Sequence, residues 1–315
     1  MRIRKFSIFL FLLFTLFFSL YKGPVKLTLE EILNGSPIFW QVRLPRTVHA
    51  LIVGASLAIS GSVLQAVFRN PLAEPYFLGI SSGAAVGAAI STLLKTNWSL
   101  ELTSFIGAIL SFLLVYKVSV YNGFLSTERL LLSGIGVSAF LSALIGFLLY
   151  FKGNDFHGLL FWLWGNLGIS SWNNIIRITP VLVISSIFIL RYSQELNLIL
   201  WGDEHASQMG VDSIKIKKEL VILSSLLAAV SVSSSGIIGF VGLVIPHMVR
   251  LVISPDHRKL LPFSALLGGS FLLFTDTMAR ILIPPIEIPV GIITALLGSP
   301  FFIYLLIRGK NNASS

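Results

Sequence analysis

Long apolar runs alternate with short polar stretches along almost the whole chain. An α-helix needs about 20 apolar residues to cross the hydrocarbon core of a bilayer, and ten runs reach or approach that length. They cover residues 6–21, 47–67, 77–95, 101–120, 129–151, 174–192, 217–236, 239–253, 260–283 and 289–307. Charges, prolines and glycines bound the runs, as they do where helices end. The pattern predicts an all-α membrane protein with ten transmembrane helices, in which residues 1–315 form a single transmembrane domain.

The composition excludes a soluble globular enzyme. Of the 315 residues, 55% are hydrophobic and 12% are charged, whereas a soluble domain has roughly 25% charged residues. The chain has no cysteine and its five histidines are scattered, so the sequence predicts neither a metal site nor a bound cofactor. The formal charge of +9 comes from basic residues spread between the apolar runs. That distribution is typical of membrane topology and not of nucleic-acid binding.

The positive-inside rule orients the predicted helices. With the N-terminus inside, about two thirds of the 23 Lys and Arg residues fall in inner loops, which places both termini in the cytoplasm. No small-residue cleavage site follows the first apolar run, so we expect it to stay as a helix and not to be removed as a signal peptide. Three arginines lie on the outer side against the bias: Arg43, Arg46 and Arg280.

Few chemical groups lie within the apolar runs. Asp276 is the one clear acid there, and it precedes Arg280 by four residues, so an internal ion pair is favoured over a proton relay. His49 and His247 are expected to be hydrogen-bonded packing residues. The sequence has no P-loop pattern, so this chain is not expected to hydrolyse ATP. Any energy for transport must therefore come from another subunit.

The longest polar stretch between apolar runs is QELNLILWGDEHASQMGVDSIKIKKE, residues 194–219. The topology makes it the largest cytoplasmic insertion. Within it, Gly202 and Gly210 lie on either side of the polar residues Asp203, Glu204, His205 and Gln208. From its composition alone this segment is a solvated amphipathic loop.

Several long motifs resemble one known family. They are RLPRTVHALIVGASLAISGSVLQAVFRNPLAEPYFLGISSGAAVGA at 43–88, WGDEHASQMGV at 201–211, and the stretches 235–281 and 287–306, which begin SGIIGFVGLVIPHMVR and EIPVGIITALLGSP. In this order they are similar to the FecCD family, the permease subunits of type II ABC importers for cobalamin, ferric siderophores and haem. The resemblance covers nearly the whole chain and is weakest in 1–40 and 95–125.

The resemblance implies a type II ABC importer permease bundle of ten helices in the inner (plasma) membrane. It implies a homodimer with the translocation pathway on its two-fold axis. Two cytoplasmic ATPase subunits, which use the ATP, and one periplasmic or lipoprotein substrate-binding protein complete the assembly. The implied activity is import of an iron chelate such as a ferric siderophore, of haem or of cobalamin by alternating access.

The resemblance also assigns residue roles. A coupling segment of about 194–216 is expected to contain a short helix between Gly202 and Gly210. It is expected to dock on the ATPase through Gly202, Asp203, Glu204, His205, Gln208 and Gly210. Arg43, Arg46 and Arg280 are expected to pair with acidic residues of the binding protein. The translocation pathway is expected to include Ser133, Gly134, Gly136 and Ser138.

Two other classes of function are compatible with a membrane bundle. A stand-alone secondary transporter or channel is the main alternative, and the lack of paired intramembrane acids argues against it. An intramembrane enzyme lacks a nucleophile and base at usable spacing.

Overall fold

The computed structural model describes residues 2–25, 27–94, 98–121, 124–152 and 157–313. The first half of the chain contains α1 (Arg2–Tyr21), α2 (Leu29–Leu33), a π-helical segment (Ile38–Arg43), α3 (Leu44–Val67), a 3₁₀ turn (Pro75–Leu78), α4 (Ile80–Leu94), α5 (Leu100–Ser119), the antiparallel pair β1 (Val120–Tyr121) and β2 (Phe124–Leu125), and α6 (Thr127–Lys152). The second half contains α7 (His157–Leu163), α8 (Trp172–Arg191), α9 (Ser193–Leu200), α10 (Asp203–Gln208), α11 (Ser213–Ser235), α12 (Val241–Val252), α13 (His257–Ile281) and α14 (Val290–Ala313).

The ten predicted membrane helices are all present in the described part of the chain. They are α1, α3, α4, α5, α6, α8, α11, α12, α13 and α14. Five helices are long and apolar enough to cross a bilayer on their own composition: Ile38–Val67, Leu100–Ser119, Thr127–Tyr150, Trp172–Arg191 and His257–Ile281. The predicted run 77–95 begins as a helix only at Ile80, because the 3₁₀ turn and Gly79, at φ 75°, precede it.

Helix α3 is the centre of the bundle and is buried along nearly its whole length. Two glycines let it approach its neighbours closely. A Cβ on Gly54 would lie 2.4 Å from the carbonyl oxygen of Gly268 in α13, and one on Gly61 would lie 1.9 Å from that of Gly242 in α12. Lipid supplies no hydrophobic force between helices, so close backbone packing of this kind is what holds such a bundle together.

Two non-helical segments meet inside the bundle. The carboxylate of Glu74 accepts a hydrogen bond of 2.9 Å from the backbone N–H of Phe240. The hydroxyl of Tyr76 donates to the carbonyl oxygen of Ile238 at 2.9 Å and accepts from the N–H of Ile238 at 3.2 Å. Irregular backbone within a membrane needs partners of this kind. The loop before α4 and the turn between α11 and α12 therefore satisfy each other.

The outward faces of several helices are apolar. On α6, Leu132 is 69% exposed, Phe140 68% and Tyr150 83%. On α8, the exposed residues include Ile176, Ile184 and Ile187. Such surfaces are stable only against lipid or another protein chain.

Candidate functional site

Helix α10 projects from one face of the bundle, called here the α10 face. Gly202, at φ 124°, and Gly210, at φ 81°, bound the helix, and a residue with a side chain is strained at such values. The acidic side chains of Asp203 and Glu204 lie in its first turn, where the helix dipole favours negative charge. The short helix between two glycines predicted from the sequence is thus confirmed.

Helix α10 is anchored to two membrane helices through Asp203. Lys217 Nζ in α11 lies 2.6 Å from the Asp203 carboxylate, and Arg69 Nη2, just past the end of α3, lies 3.2 Å from it. Arg69 also donates from Nε to the carbonyl oxygen of Ile199 at 3.0 Å. Charge, hydrogen bonding and the buried Ala206 therefore fix this small helix to the ends of α3 and α11.

A third attachment runs through Asn197 in α9. Its amide nitrogen donates to Asp256 Oδ1 at 2.8 Å, and its oxygen accepts from the backbone N–H of His257 at 2.9 Å and lies 2.8 Å from His257 Nδ1. Asp256 also caps α13 by accepting from the N–H of Arg258 at 3.0 Å. The hydrogen bonds from Arg258 hold the pKa of Asp256 well below its usual range. Nothing in the sequence pattern distinguishes Asn197, so sequence reasoning missed it.

The remaining polar side chains of α10 point away from the bundle. Glu204, His205 and Gln208 are exposed. A cleft of about 850 Å³ beside α10 is lined by Glu204, Asp212 and Lys217 among others, and a second cleft, of about 490 Å³, is lined by Arg69, Trp201 and His205 among others. Helix α10 is therefore a polar ridge between two clefts, and a ridge of this shape can insert into a groove on another protein.

The opposite face of the bundle contains a buried charged cluster. Arg46 donates from Nη2 to Asp276 Oδ1 at 2.9 Å and from Nη1 to Glu287 Oε2 at 2.8 Å. Arg280 Nε lies 3.3 Å from Asp276 Oδ2, and its Nη2 donates to Ser19 Oγ at 2.9 Å. The internal pairing of Asp276 with Arg280 was expected from their spacing and is confirmed. Arg46, from another helix, was not expected in the pair.

Arg43 has a different environment. It donates from Nη1 to the carbonyl oxygens of Leu20, at 2.8 Å, and Tyr21, at 3.0 Å, and from Nη2 to that of Val25. These groups lie at and just beyond the end of α1, where carbonyls lack helical partners and the dipole favours a cation. Arg43 therefore joins the end of α1 to the start of α3.

All three arginines of the docking prediction are buried. Arg43 is 3% exposed, Arg46 6% and Arg280 3%. Each guanidinium is bound within the chain because it has carbonyl or carboxylate partners there. Direct contact with a partner protein would have to replace these internal bonds.

The four predicted pathway residues do not share one face of α6. Ser133 Oγ lies 2.8 Å from Ser119 Oγ in α5, and Ser138 accepts from Ser82 Oγ in α4 at 3.2 Å. A Cβ on Gly134 would lie 1.8 Å from the carbonyl oxygen of Phe77. Gly136 alone among the four has open space beside it. Ser133, Gly134 and Ser138 hold α6 against α4, α5 and the 3₁₀ turn, and the exposed face of α6 is formed by apolar neighbours.

His49 is a packing residue, as expected. Its Nδ1 lies 2.7 Å from Ser170 Oγ and its Nε2 lies 3.1 Å from Ser234 Oγ. These two hydrogen bonds join α3 to the segment before α8 and to the end of α11. Among the residues that the structure describes, no cluster of acids and histidines has the composition of a metal site.

The described helices form a bundle with apolar outer faces and an anchored polar ridge on one face. Comparison with known proteins identifies the family. The sequence profile of the FecCD transport family matches residues 11–308. The cobalamin import system permease protein BtuC of Halobacterium salinarum is 45% identical over 288 residues, which are 91% of this chain and 77% of that protein. The hemin transport system permease protein HmuU of Yersinia pestis is 36% identical over 306 residues, 93% of this chain and 91% of that protein.

A solved structure agrees with the sequence comparison. An ABC transporter of metal-chelate type, described in an inward-facing conformation, is 35% identical in sequence and superposes with a TM-score of 0.87 over 96% of this chain and 98% of that one. The chain belongs to the FecCD transport family and is an ABC importer permease with the type II fold. Homologues in this family are transport subunits and not catalytic ones.

Proposed function

We propose that this chain forms the membrane pathway of an ATP-driven importer for an iron chelate such as a ferric siderophore, for haem or for cobalamin. The observation that carries the proposal is the anchored ridge α10, which gives a bundle without a nucleotide-binding motif a point of attachment for an ATPase. Relatives named for cobalamin and hemin transport support the substrate class.

The coupling step is proposed to act through α9 and α10 as one unit. Gly202, Asp203, Glu204, His205, Gln208 and Gly210 form or bound the ridge that enters a groove of the ATPase. When nucleotide binding closes two ATPase subunits, the ridge moves with them. Asp203 transmits the movement to α3 and α11, and Asn197 transmits it to α13. Rigid hydrogen-bonded elements are the physical means by which such movements pass between sites.

The functional unit is proposed to be a homodimer with the pathway between its two copies. The apolar outer face of α6 supports this, since a second copy would cover residues such as Leu132 and Phe140. In this arrangement Gly136 lies on the pathway side, and Ser133, Gly134 and Ser138 position α6 from behind. A low-charge wall suits a large solute that is held loosely.

A periplasmic or lipoprotein substrate-binding protein is proposed to dock on the face opposite α10. Glu287 is 39% exposed by side chain and Arg46 lies directly beneath it. Docking through Arg43, Arg46 and Arg280 then requires the binding protein to compete for guanidinium groups that are internally bonded. Reversal of Arg43 and Arg46 to Glu should weaken docking; because both guanidinium groups also hold internal bonds, the thermal midpoint and ATPase assembly of the variant are measured beside docking. The same double change with unaltered docking would reject the role of these arginines.

The proposed location is the inner (plasma) membrane with both termini in the cytoplasm, so that α10 faces the ATPase side. The basic residues of the α10 face, including Arg69, Lys217 and Arg258, support this orientation.

Reconstitution tests the function. Liposomes that contain this chain and its ATPase, supplied with the binding protein, should accumulate substrate only when ATP is present on the side of the membrane that carries the ATPase. Liposomes that contain this chain alone should not concentrate solute. Accumulation by the chain alone would overturn the proposal in favour of a stand-alone transporter.

A further inference from the structure

A cavity of about 370 Å³ lies between α5, α8 and α11 on the face opposite α10. Its size falls within the range of small-molecule sites, roughly 300–1,000 Å³. Glu101 and Arg177 line it near the beginnings of α5 and α8. Phe105 and Val181, four residues further along the same helices, line it one helical turn deeper. The cavity therefore has charged groups near the face and an apolar interior.

The two charges of this cavity form no ion pair with any residue that the structure describes. Glu101 Oε1 accepts a hydrogen bond of 2.8 Å from the amide of Asn174. Arg177 is exposed, and within the described ranges it makes no hydrogen bond or ion pair. No ion pair joins Glu101 to Arg177 among those residues either, although both line the same cavity. A cation and an anion held apart in this way fit a ligand that carries both charges.

The position of the cavity relative to the bilayer identifies the kind of ligand. Four partly exposed tryptophans mark the level of this face: Trp40, Trp98, Trp164 and Trp172. Tryptophans of membrane proteins concentrate at the boundary between lipid and water. Arg177 lies five residues beyond Trp172 on α8, about 7 Å deeper along the helix axis, from where its long side chain can reach back to the phosphates at the boundary. The neighbouring residues Ile176 and Val183 are apolar and exposed, as lipid-facing residues are.

We propose that this cavity binds a zwitterionic aminophospholipid such as phosphatidylethanolamine. Arg177 contacts the phosphate, Glu101 accepts a hydrogen bond from the ammonium group, and one acyl chain enters the apolar interior beside Phe105 and Val181. The lipid lies between α5 and α8 and contacts α11. This site is independent of the solute that the permease carries.

The test uses the purified full chain exposed to vesicles of phosphatidylethanolamine or phosphatidylglycerol, with retained lipid counted by native mass spectrometry. Val181→Trp fills the cavity and should remove one retained lipid per chain. Val183→Trp, the same change on the lipid-facing side of α8, should retain it. Arg177→Gln should lower retention of both lipids roughly fivefold, as expected for loss of one cation near lipid phosphate. Glu101→Gln should lower retention of phosphatidylethanolamine and leave that of phosphatidylglycerol unchanged.

Two further arms separate the alternatives. Inorganic phosphate, added at the lipid concentration, should not displace the lipid, because the acyl chain contributes to binding; full displacement would mean that the site takes a free anion. Lys22→Gln, at the same boundary outside the cavity, should behave like wild type. Equal retention by wild type, Val181→Trp and Arg177→Gln would mean annular lipid only and would overturn the proposal. Thermal stability of each variant in detergent verifies that loss of lipid is not loss of fold.

Discussion

Lys217 Nζ lies 2.6 Å from the carboxylate of Asp203, and this ion pair fastens the exposed helix α10 to the first turns of the membrane helix α11. Arg69 shares the same carboxylate from the end of α3. A small surface helix is thus connected by one side chain to two long helices. The pair is partly exposed and contributes little to the free energy of unfolding. Its role is to hold α10 in place relative to α11.

Loss of this ion pair should uncouple transport. Lys217→Met should change stability by no more than about 1 kcal/mol, because partly exposed ion pairs contribute little, yet it should reduce ATP-driven uptake several-fold relative to ATP hydrolysis. Lys215→Met, at an exposed lysine two residues earlier, is the matched control. Uptake and hydrolysis measured in the reconstituted complex provide the comparison. Equal coupling ratios for the two variants would contradict the role of Lys217.

The attachment at Asn197 should matter for both folding and coupling. Asn197→Ala removes its hydrogen bonds to Asp256 and His257 and leaves buried groups unpaired, which costs about 1–3 kcal/mol. We expect a lower thermal midpoint and a lower ratio of uptake to ATP hydrolysis. Asn173→Ala, at an exposed asparagine of α8, should alter neither quantity. A stable Asn197→Ala variant with wild-type coupling would exclude the proposed link to α13.

The buried charged cluster should be intolerant of losing its acid. Asp276→Asn leaves Arg46 and Arg280 without a full counter-charge in the interior, and breaking a buried pair costs about 3–5 kcal/mol. Glu287→Gln removes a half-exposed partner of Arg46 and should cost about 1 kcal/mol or less. The thermal midpoints of both variants in detergent measure the difference. Similar midpoints would show that Asp276 is not the centre of the cluster.

Close packing of α3 against α12 should fail when a side chain is added at Gly61. A Cβ there would lie 1.9 Å from the carbonyl oxygen of Gly242, so Gly61→Ala forces backbone apart and should sharply reduce the yield of folded protein. Gly136→Ala on α6 meets no atom within 4 Å and should be neutral or stabilising by roughly 0.5–1 kcal/mol. Size-exclusion profiles of the two variants compare them directly. A monodisperse Gly61→Ala variant of wild-type stability would contradict the packing described here.

Asp256 should add a pH dependence to stability. Hydrogen bonds from Arg258 keep the pKa of Asp256 lower in the folded protein than in the unfolded chain. Its contribution is therefore complete above the unfolded value of about 3.9 and is lost as the pH falls below that value. Thermal midpoints from about pH 6 down to about pH 3, where the unfolded chain begins to take up its proton, should fall more steeply for wild type than for Asp256→Asn. Parallel curves would show that Asp256 does not contribute.

Much of the fold could be predicted from the sequence. All ten membrane helices and the pairing of Asp276 with Arg280 follow from apolar run length and from i, i+4 spacing. Each of these features depends on residues that are close together in the chain, so local rules were sufficient.

The site was only partly predictable. The charge pattern singled out Arg43, Arg46 and Arg280, yet it did not indicate that they are buried, because burial depends on which helices surround them. The family resemblance grouped Ser133, Gly134, Gly136 and Ser138 on α6, whereas the packing of α4 and α5 divides them between two faces. Asn197 carried no signal at all.

The sequence by itself determined that the chain lies in lipid as a bundle of ten helices with one long polar segment between them. The length of each apolar run and the position of each charge decide locally which segments enter lipid. Only the tertiary structure decided that Arg46 joins Asp276 across 230 positions, that Asn197 reaches the start of α13, and that Arg177 and Glu101 share one cavity without touching. Contacts between distant segments depend on the relative placement of whole helices, which close glycine packing sets and which no local pattern encodes.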